Sequence, residues 1–268
     1  MIIIGEKING AIPSTAKAIA ERDEAFIRDL AVRQSETGAA YIDVCASTAP
    51  EQERETLEWL IGIVQDAVDT PLSLDSPDPQ VILDVLPLAK RPGLINSVSD
   101  EHGKCEVIFP KVADTGWNIV ALTCDDNGLA MEADKKAAIG ATIIEKAKAN
   151  GIAADRLFID PLVNSLATTG TSLLTFNEAV RLIKAQYPDV HITSGLSNIS
   201  FGMPFRKALN QYFLCLAASA GMDSAICDPT SADIRAAIFS TEALLGQDEF
   251  CLEYLNAFRE GLIGPPKQ

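Results

Sequence analysis

Histidine, paired cysteine and positive charge are what this 268-residue sequence has little of. Only two histidines occur, His102 and His191, far apart in the chain. The six cysteines (Cys45, Cys105, Cys124, Cys215, Cys227 and Cys251) are scattered singly, with no Cys-x-x-Cys pair. Neither a structural zinc nor an iron–sulfur cluster therefore has a local ligand pattern, and reduced, mostly buried thiols are expected. Lys and Arg number 22 against 37 Asp and Glu, a net charge of −15. That balance argues against nucleic acid as a partner and disfavours docking on an anionic membrane. No run approaches the roughly 20 apolar residues of a membrane span. The opening MIIIGEKING has no basic stretch and no cleavage site, so it is expected to be a buried first strand in a cytoplasmic protein, not a signal peptide. No Gly-x-Gly-x-x-Gly follows that strand and no Gly-x-x-x-x-Gly-Lys-Ser/Thr occurs, which removes the usual nucleotide fingerprints.

What is there is a regular alternation. Hydrophobic residues make up 47% of the chain and charged residues 22%, enough apolar material for one large closed core. Strands are predicted at Met1–Glu6, Tyr41–Cys45, Leu72–Asp75, Leu94–Val98, Ile119–Thr123, Leu157–Asp160, His191–Ser194 and Ser224–Cys227. Helical spacing fills the intervals: Glu24–Thr37, Glu51–Val68, Pro79–Lys90, Cys105–Thr115, Met131–Asn150, Phe176–Tyr187, Pro204–Ala220 and Ser231–Leu245. Gly38, Gly116 and Gly151 read as helix stops, and a last amphipathic piece, Glu249–Arg259, precedes Gly-Pro-Pro. Eight β–α units in this length predict a single-domain (β/α)8 TIM barrel covering residues 1–268, with an open doubly wound sheet as the alternative.

The strand ends carry the chemistry. In a barrel the C-terminal ends of the strands form the active-site mouth. Here they read Glu6-Lys7-Ile8-Asn9, Asp43, Asp75-Ser76, Asn96-Ser97, Thr123, Asp160-Pro161, Ser197-Asn198 and Asp228-Pro229. Some have plainer uses: Asp228 suits a helix cap, and Asp43, one step before its loop, suits a buried structural hydrogen bond. Asp75, Asn96, Asp160 and Asn198 close the apolar runs LSLD, LIN, LFID and GLSN, where an unpaired polar group is costly. Lys7 is the one strand-terminal cation. A ring of acceptors suits a neutral heterocycle rich in N–H donors, and a reduced pterin fits it; magnesium is the runner-up.

These residues also carry a resemblance. The segments IIIGEKING, LSLDS, LINS, IDPL and GLSNISFGMPFR resemble the pterin-binding barrels, and within them the methyltetrahydrofolate:corrinoid protein methyltransferases, over essentially the whole chain. The resemblance implies pterin contacts at Asp75, Asn96, Asp160 and Asn198, with Arg206 downstream. Glu6 and Asn9 of the first motif complete the expected substrate-binding set. It implies tetrahydrofolate or 5-methyltetrahydrofolate as substrate, and a corrinoid (cobalamin) carried by a separate protein. The Asp100–Cys105 stretch has Cys105 where a corrinoid-binding Asp-x-His-x-x-Gly needs Gly, so it is read as a loop entering a helix. Dihydropteroate synthases resemble the chain less, since the seventh strand has no Lys and the eighth ends in Asp228-Pro229-Thr230. A non-catalytic folate-binding subunit is a further alternative. Asn198 is the expected catalytic residue: facing N5, a carboxamide both donates and accepts, as the two states of that nitrogen require. Asp160 is assigned to the 2-amino and N3–H edge, Asn96 and Asp75 to the N1/N8 side. Phe201 stands where the acetyl-CoA branch of the family tends to have a polar residue, which favours transfer from a methylcorrinoid protein to tetrahydrofolate in a demethylation pathway. Transfer from 5-methyltetrahydrofolate to a corrinoid iron–sulfur protein is the alternative direction. A homodimer is common in the family.

Overall fold

The computed structural model describes residues 1–265. Eight parallel strands line a barrel: β1 (Ile2–Asn9), β2 (Tyr41–Cys45), β3 (Leu72–Asp75), β4 (Leu94–Asp100), β5 (Asn118–Asp125), β7 (Leu157–Asp160), β8 (His191–Ile192) and β9 (Ser224–Cys227). A two-residue strand, β6 (Gly128–Leu129), folds back antiparallel on the end of β5. The ladder runs β8-β7-β5-β4-β3-β2-β1-β9. It is closed where Ile226 N donates to Ser194 O at 2.9 Å and Gly195 bridges to Ile226.

Around it lie α1 (Pro13–Glu21), α2 (Glu24–Glu36), α3 (Pro50–Ala67), α4 (Pro79–Val85), α5 (Lys104–Val112), α6 (Ala133–Ala149), α7 (Ser172–Gln186), α8 (Arg206–Ala220), α9 (Ala232–Leu244) and α10 (Leu252–Glu260). Among the described residues, no helix is long and apolar enough to cross a membrane.

Period-two alternation sorts each strand's side chains. Leu72, Leu74, Ile42, Val44, Ile95, Ile119, Leu157 and Ile159 face outward into the large core shared with the helices. The inward positions form a smaller cluster of Ile4, Leu94, Val120 and Phe158, with Ile2, Tyr41, Leu122 and Ile226 against it. Phe158 stacks on His191 at 4.6 Å and meets Tyr41 edge-on at 6.3 Å, while Asn118 Nδ2 donates to the Tyr41 hydroxyl at 2.7 Å. The barrel floor is thereby plugged. One inward step beyond this plug on each strand come Glu6, Asp43, Asn96 and Asp160.

Several expectations are corrected. The first βα connection holds a helix, α1, that the sequence reading passed over; it buries only Thr15, Ala18 and Ile19, too thin a stripe to stand out. The segment predicted as one helix to Lys90 stops at Val85 and tightens into a 3-10 turn, Leu86–Leu88, because Pro87 has no N–H to give. Helix α8 starts at Arg206 because Phe205 has a left-handed backbone at φ 49°. Helix α5 ends at Val112, ahead of Gly116, whose φ is not positive; Gly38 and Gly151 do take positive φ just past their helices. Strand β8 is two residues long, and the GLSNIS segment leaves it as a 3-10 turn, Leu196–Ser200. Thr123 points outward: its Cγ2 lies where a side chain on Gly140 of α6 would come, so it takes no part in the mouth.

Candidate functional site

The mouth is a set of carboxylates held in a poorly solvated ring. Asp43 is buried and accepts from Ser73 Oγ at 2.5 Å and Asn96 Nδ2 at 3.1 Å. This is the structural hydrogen bonding expected of it, and it holds the Asn96 carboxamide in place. Asp75 pairs in register with Asn96 on the next strand. Burial lifts the Asp75 carboxyl to about 6, while a bond from the Cys45 thiol acts the other way. Burial and the charge of Asp75 together push Asp43 well above the usual carboxylate range.

Across the ring, Asp160 is 4% exposed. Its Oδ1 accepts from Leu162 N at 2.8 Å, and the backbone of Gly195 bonds it as well. Burial nonetheless carries it up to about 7. Gly195 in turn abuts Asn198: a Cβ on residue 195 would come 3.1 Å from Asn198 Nδ2. Asn198 itself is exposed on the Leu196–Ser200 turn. Arg206 ties that turn down, donating from Nη2 to Ser197 O at 2.8 Å and from Nε to Ser200 Oγ at 3.1 Å. Beside it on the rim, Phe201 and Phe205 are 71% and 81% exposed.

Glu6 links the two sides. No described residue hydrogen-bonds its carboxylate. Burial first, then the charge of Asp228, raises it to about 7, while Lys7 and Arg206 oppose the rise. Lys7 Nζ lies 3.4 Å from Asp228 Oδ2. Asp228 Oδ1 accepts from Thr230 N at 2.9 Å and so turns its own loop; the helix cap of α9 is Ser231. A cavity of about 140 Å³ opens between Glu6, Leu196 and Asp228. Asn9 stands apart, its Oδ1 accepting from Ala11 N at 2.8 Å and Ser47 Oγ at 3.2 Å in the loops after β1 and β2.

Neither histidine reaches the mouth. His102 is exposed in the loop entering α5 and lies 3.2 Å from Asp126, and His191 meets Asp223 at 3.1 Å at the floor. Among the described residues, no three of the His, Cys, Asp and Glu side chains are placed to hold a metal ion together.

One site residue escaped the sequence reading. Lys136 of α6 is 1% exposed, and its Nζ donates to Pro161 O at 2.7 Å and Leu162 O at 2.8 Å, the two carbonyls following Asp160. Burying an ammonium costs several kcal/mol unless it is compensated. A signal existed: Lys136 lies on the same helical stripe as the buried Gly140, Ile143, Ile144 and Ala147, a charge on an apolar face.

A family model described as "pterin binding enzyme" matches residues 13–228. The chain belongs to the pterin-binding enzymes. It is 54% identical, over 99% of its length and 98% of the relative's, to the methylcorrinoid:tetrahydrofolate methyltransferase of Eubacterium limosum. It is 33% identical to the methionine synthase of Mycobacterium tuberculosis across 84% of this chain, which corresponds to 20% of that longer protein. Among solved structures, a dihydropteroate synthase from Xanthomonas albilineans in complex with 7,8-dihydropteroate superposes with a TM-score of 0.64 at 20% identity, covering 91% of this chain and 92% of that one. The dihydropteroate synthase of Thermus thermophilus gives 0.67 at 19% identity, over 91% and 94%. These last two establish a common barrel fold. Within this pterin-binding enzyme, β8 carries no lysine and β9 is followed by Asp228-Pro229-Thr230; the cations near that end are Lys7, itself beside Asp228, Arg206, whose charge reaches Glu6, and Lys207 at the edge of the cavity.

Proposed function

We propose that this pterin-binding enzyme transfers a methyl group between N5 of tetrahydrofolate, seated in the barrel mouth, and the cobalt of a separate corrinoid protein, running from methylcorrinoid to tetrahydrofolate. The observation that carries the reading is the inward ring of Asp75, Asn96 and Asp160, whose carboxylates are raised by burial and have few donors of their own. A reduced pterin offers N–H donors along one edge, and each bond it makes to a buried carboxylate restores what burial removed. The near-full-length likeness to the Eubacterium limosum protein supports both the methyl carrier and the direction.

In this reading Asp160 takes the 2-amino and N3–H edge, and Asp75 and Asn96 take the N1/N8 side. Glu6 borders the cavity, Asn9 is assigned to the outer rim of the mouth in the loops after β1 and β2, and Arg206 braces the turn bearing Asn198. Asn198 faces N5 and either donates to its lone pair or accepts from its proton. The partner's corrinoid supplies a methyl-binding metal; this chain's part is to orient N5 toward it and keep water out. The exposed Phe201 and Phe205 are assigned to the rim that meets the partner. The chain is placed in the cytoplasm, where its six free cysteines stay reduced. It is assigned a homodimeric state.

The test is calorimetric binding of tetrahydrofolate and 5-methyltetrahydrofolate, followed by methyl transfer from methylcobalamin to tetrahydrofolate and the reverse assay with cob(I)alamin. Asn198→Ala is expected to lower the transfer rate by about 10²-fold or more while weakening folate binding only several-fold. An unchanged rate removes Asn198 from catalysis, and binding without transfer in either direction favours a non-catalytic folate carrier.

A further inference from the structure

Lys136 is a buried ammonium that forms no ion pair within 4 Å among the described residues. Its hydrogen-bond partners are both carbonyls, Pro161 O and Leu162 O, at 2.7 and 2.8 Å. These are the residues that turn the chain away from β7, and Leu162 holds a left-handed backbone at φ 53°. That unusual turn aims Leu162 N at Asp160 Oδ1, 2.8 Å away. The side chain therefore reaches from α6 through the wall to the back of the loop that follows Asp160.

Packing alone does not account for a lysine here. A methionine fills the same volume without a buried charge, and buried cations are weak contributors to stability in themselves. The charged groups that act on Lys136 are Asp160 on β7 and Cys124 on β5. The Cys124 thiol is pushed up to about 12, chiefly by burial, and is neutral near pH 7. Asp160 is thus the single negative charge that Lys136 serves, and among side chains Lys136 is the one whose charge favours the ionised Asp160.

We propose that Lys136 is a positioning residue for the pterin edge, clamping the Pro161–Leu162 carbonyls so that Asp160 is held in the mouth as an acceptor. It touches no substrate. The proposal rests on the assignment of Asp160 to the 2-amino and N3–H edge, and the experiment separates the two.

Tetrahydrofolate affinity is measured from about pH 5.5 to pH 8.5 for wild type, Lys136→Met, Lys136→Gln and Asp160→Asn, each with a thermal melt. In wild type, affinity falls on the acid side as Asp160 takes up a proton, with Glu6 and Asp75 titrating in the same range; the part of the limb lost in Asp160→Asn is the part due to Asp160. Removing the ammonium charge moves that acid limb to higher pH by about one unit, and near pH 7 weakens binding roughly fivefold. Lys136→Gln keeps a neutral donor one bond shorter and Lys136→Met keeps the volume, so a variant that melts near wild type is expected to show the same displaced limb, a readout that a purely structural lysine does not move. An acid limb coincident with wild type in either folded variant overturns the proposal. So does failure of both variants to fold, which would make the lysine a structural strut. Unchanged affinity in Asp160→Asn overturns the Asp160 assignment instead.

Discussion

Asp160 and Glu6, each raised to about 7, and Asp75, raised to about 6, give the mouth a pH signature. Unfolded Asp and Glu titrate near 3.9 and 4.3, so between about pH 4 and pH 7 the native ligand-free chain binds more protons than the unfolded one. Stability from a raised carboxyl is complete below the unfolded value and is lost as pH rises through the folded value. The melting temperature of the free protein is expected to drop by a few degrees from about pH 5 to pH 8, and Asp160→Asn should flatten the drop. A melting temperature that rises over that range would refute the desolvation of this ring. Binding of a donor-rich ring has the opposite dependence, because it needs the carboxylates ionised. Single residues were legible to different depths. Asp75, Asn96 and Asp160 announced themselves as polar ends of apolar strands. Asn198 was singled out on the same ground, as the close of the run GLSN, but it sits on a turn beyond β8 where no strand parity governs it. Lys136 and Cys45 contribute from behind and beside the ring, where a scan of strand ends does not look.

At the scale of elements, strands β2, β3, β7 and β9 matched their predicted spans because each is a short apolar run with a clear polar stop. Strand β8 did not, because its last residues, Thr193 to Gly195, are shared between the ladder and the closing contact with β9. Helix α1 was missed because its buried stripe is only Thr15, Ala18 and Ile19, although Pro13 in its first turn is how helices often begin. Close approach of neighbouring strands sets a further constraint. A Cβ on Gly93 would lie 2.0 Å from Leu72 O, so the start of β4 can lie against β3 only without a side chain. Gly93→Ala is expected to cost about 1–3 kcal/mol in denaturant unfolding and to displace the strand that presents Asn96, weakening folate binding alongside stability. A variant with wild-type stability would show that the two strands have room to part.

On the scale of the whole molecule, one barrel with one core was the easiest property to foresee, since eight β–α periods in this length leave little else to build. The strand ends already pointed to the face expected to work; that the opposite end is shut required the packed structure. Ile4, Leu94, Val120 and Phe158 are at most 1% exposed and fill the interior beneath the carboxylate ring. The chamber above them is a cul-de-sac, and two large visitors, a folate and a protein-borne corrinoid, have to use its one doorway. The folate must therefore arrive first and its product must wait for the protein to step aside. Initial-rate patterns are expected to be ordered, with tetrahydrofolate leading; random-order kinetics would mean that the doorway is wider than the floor beneath it implies.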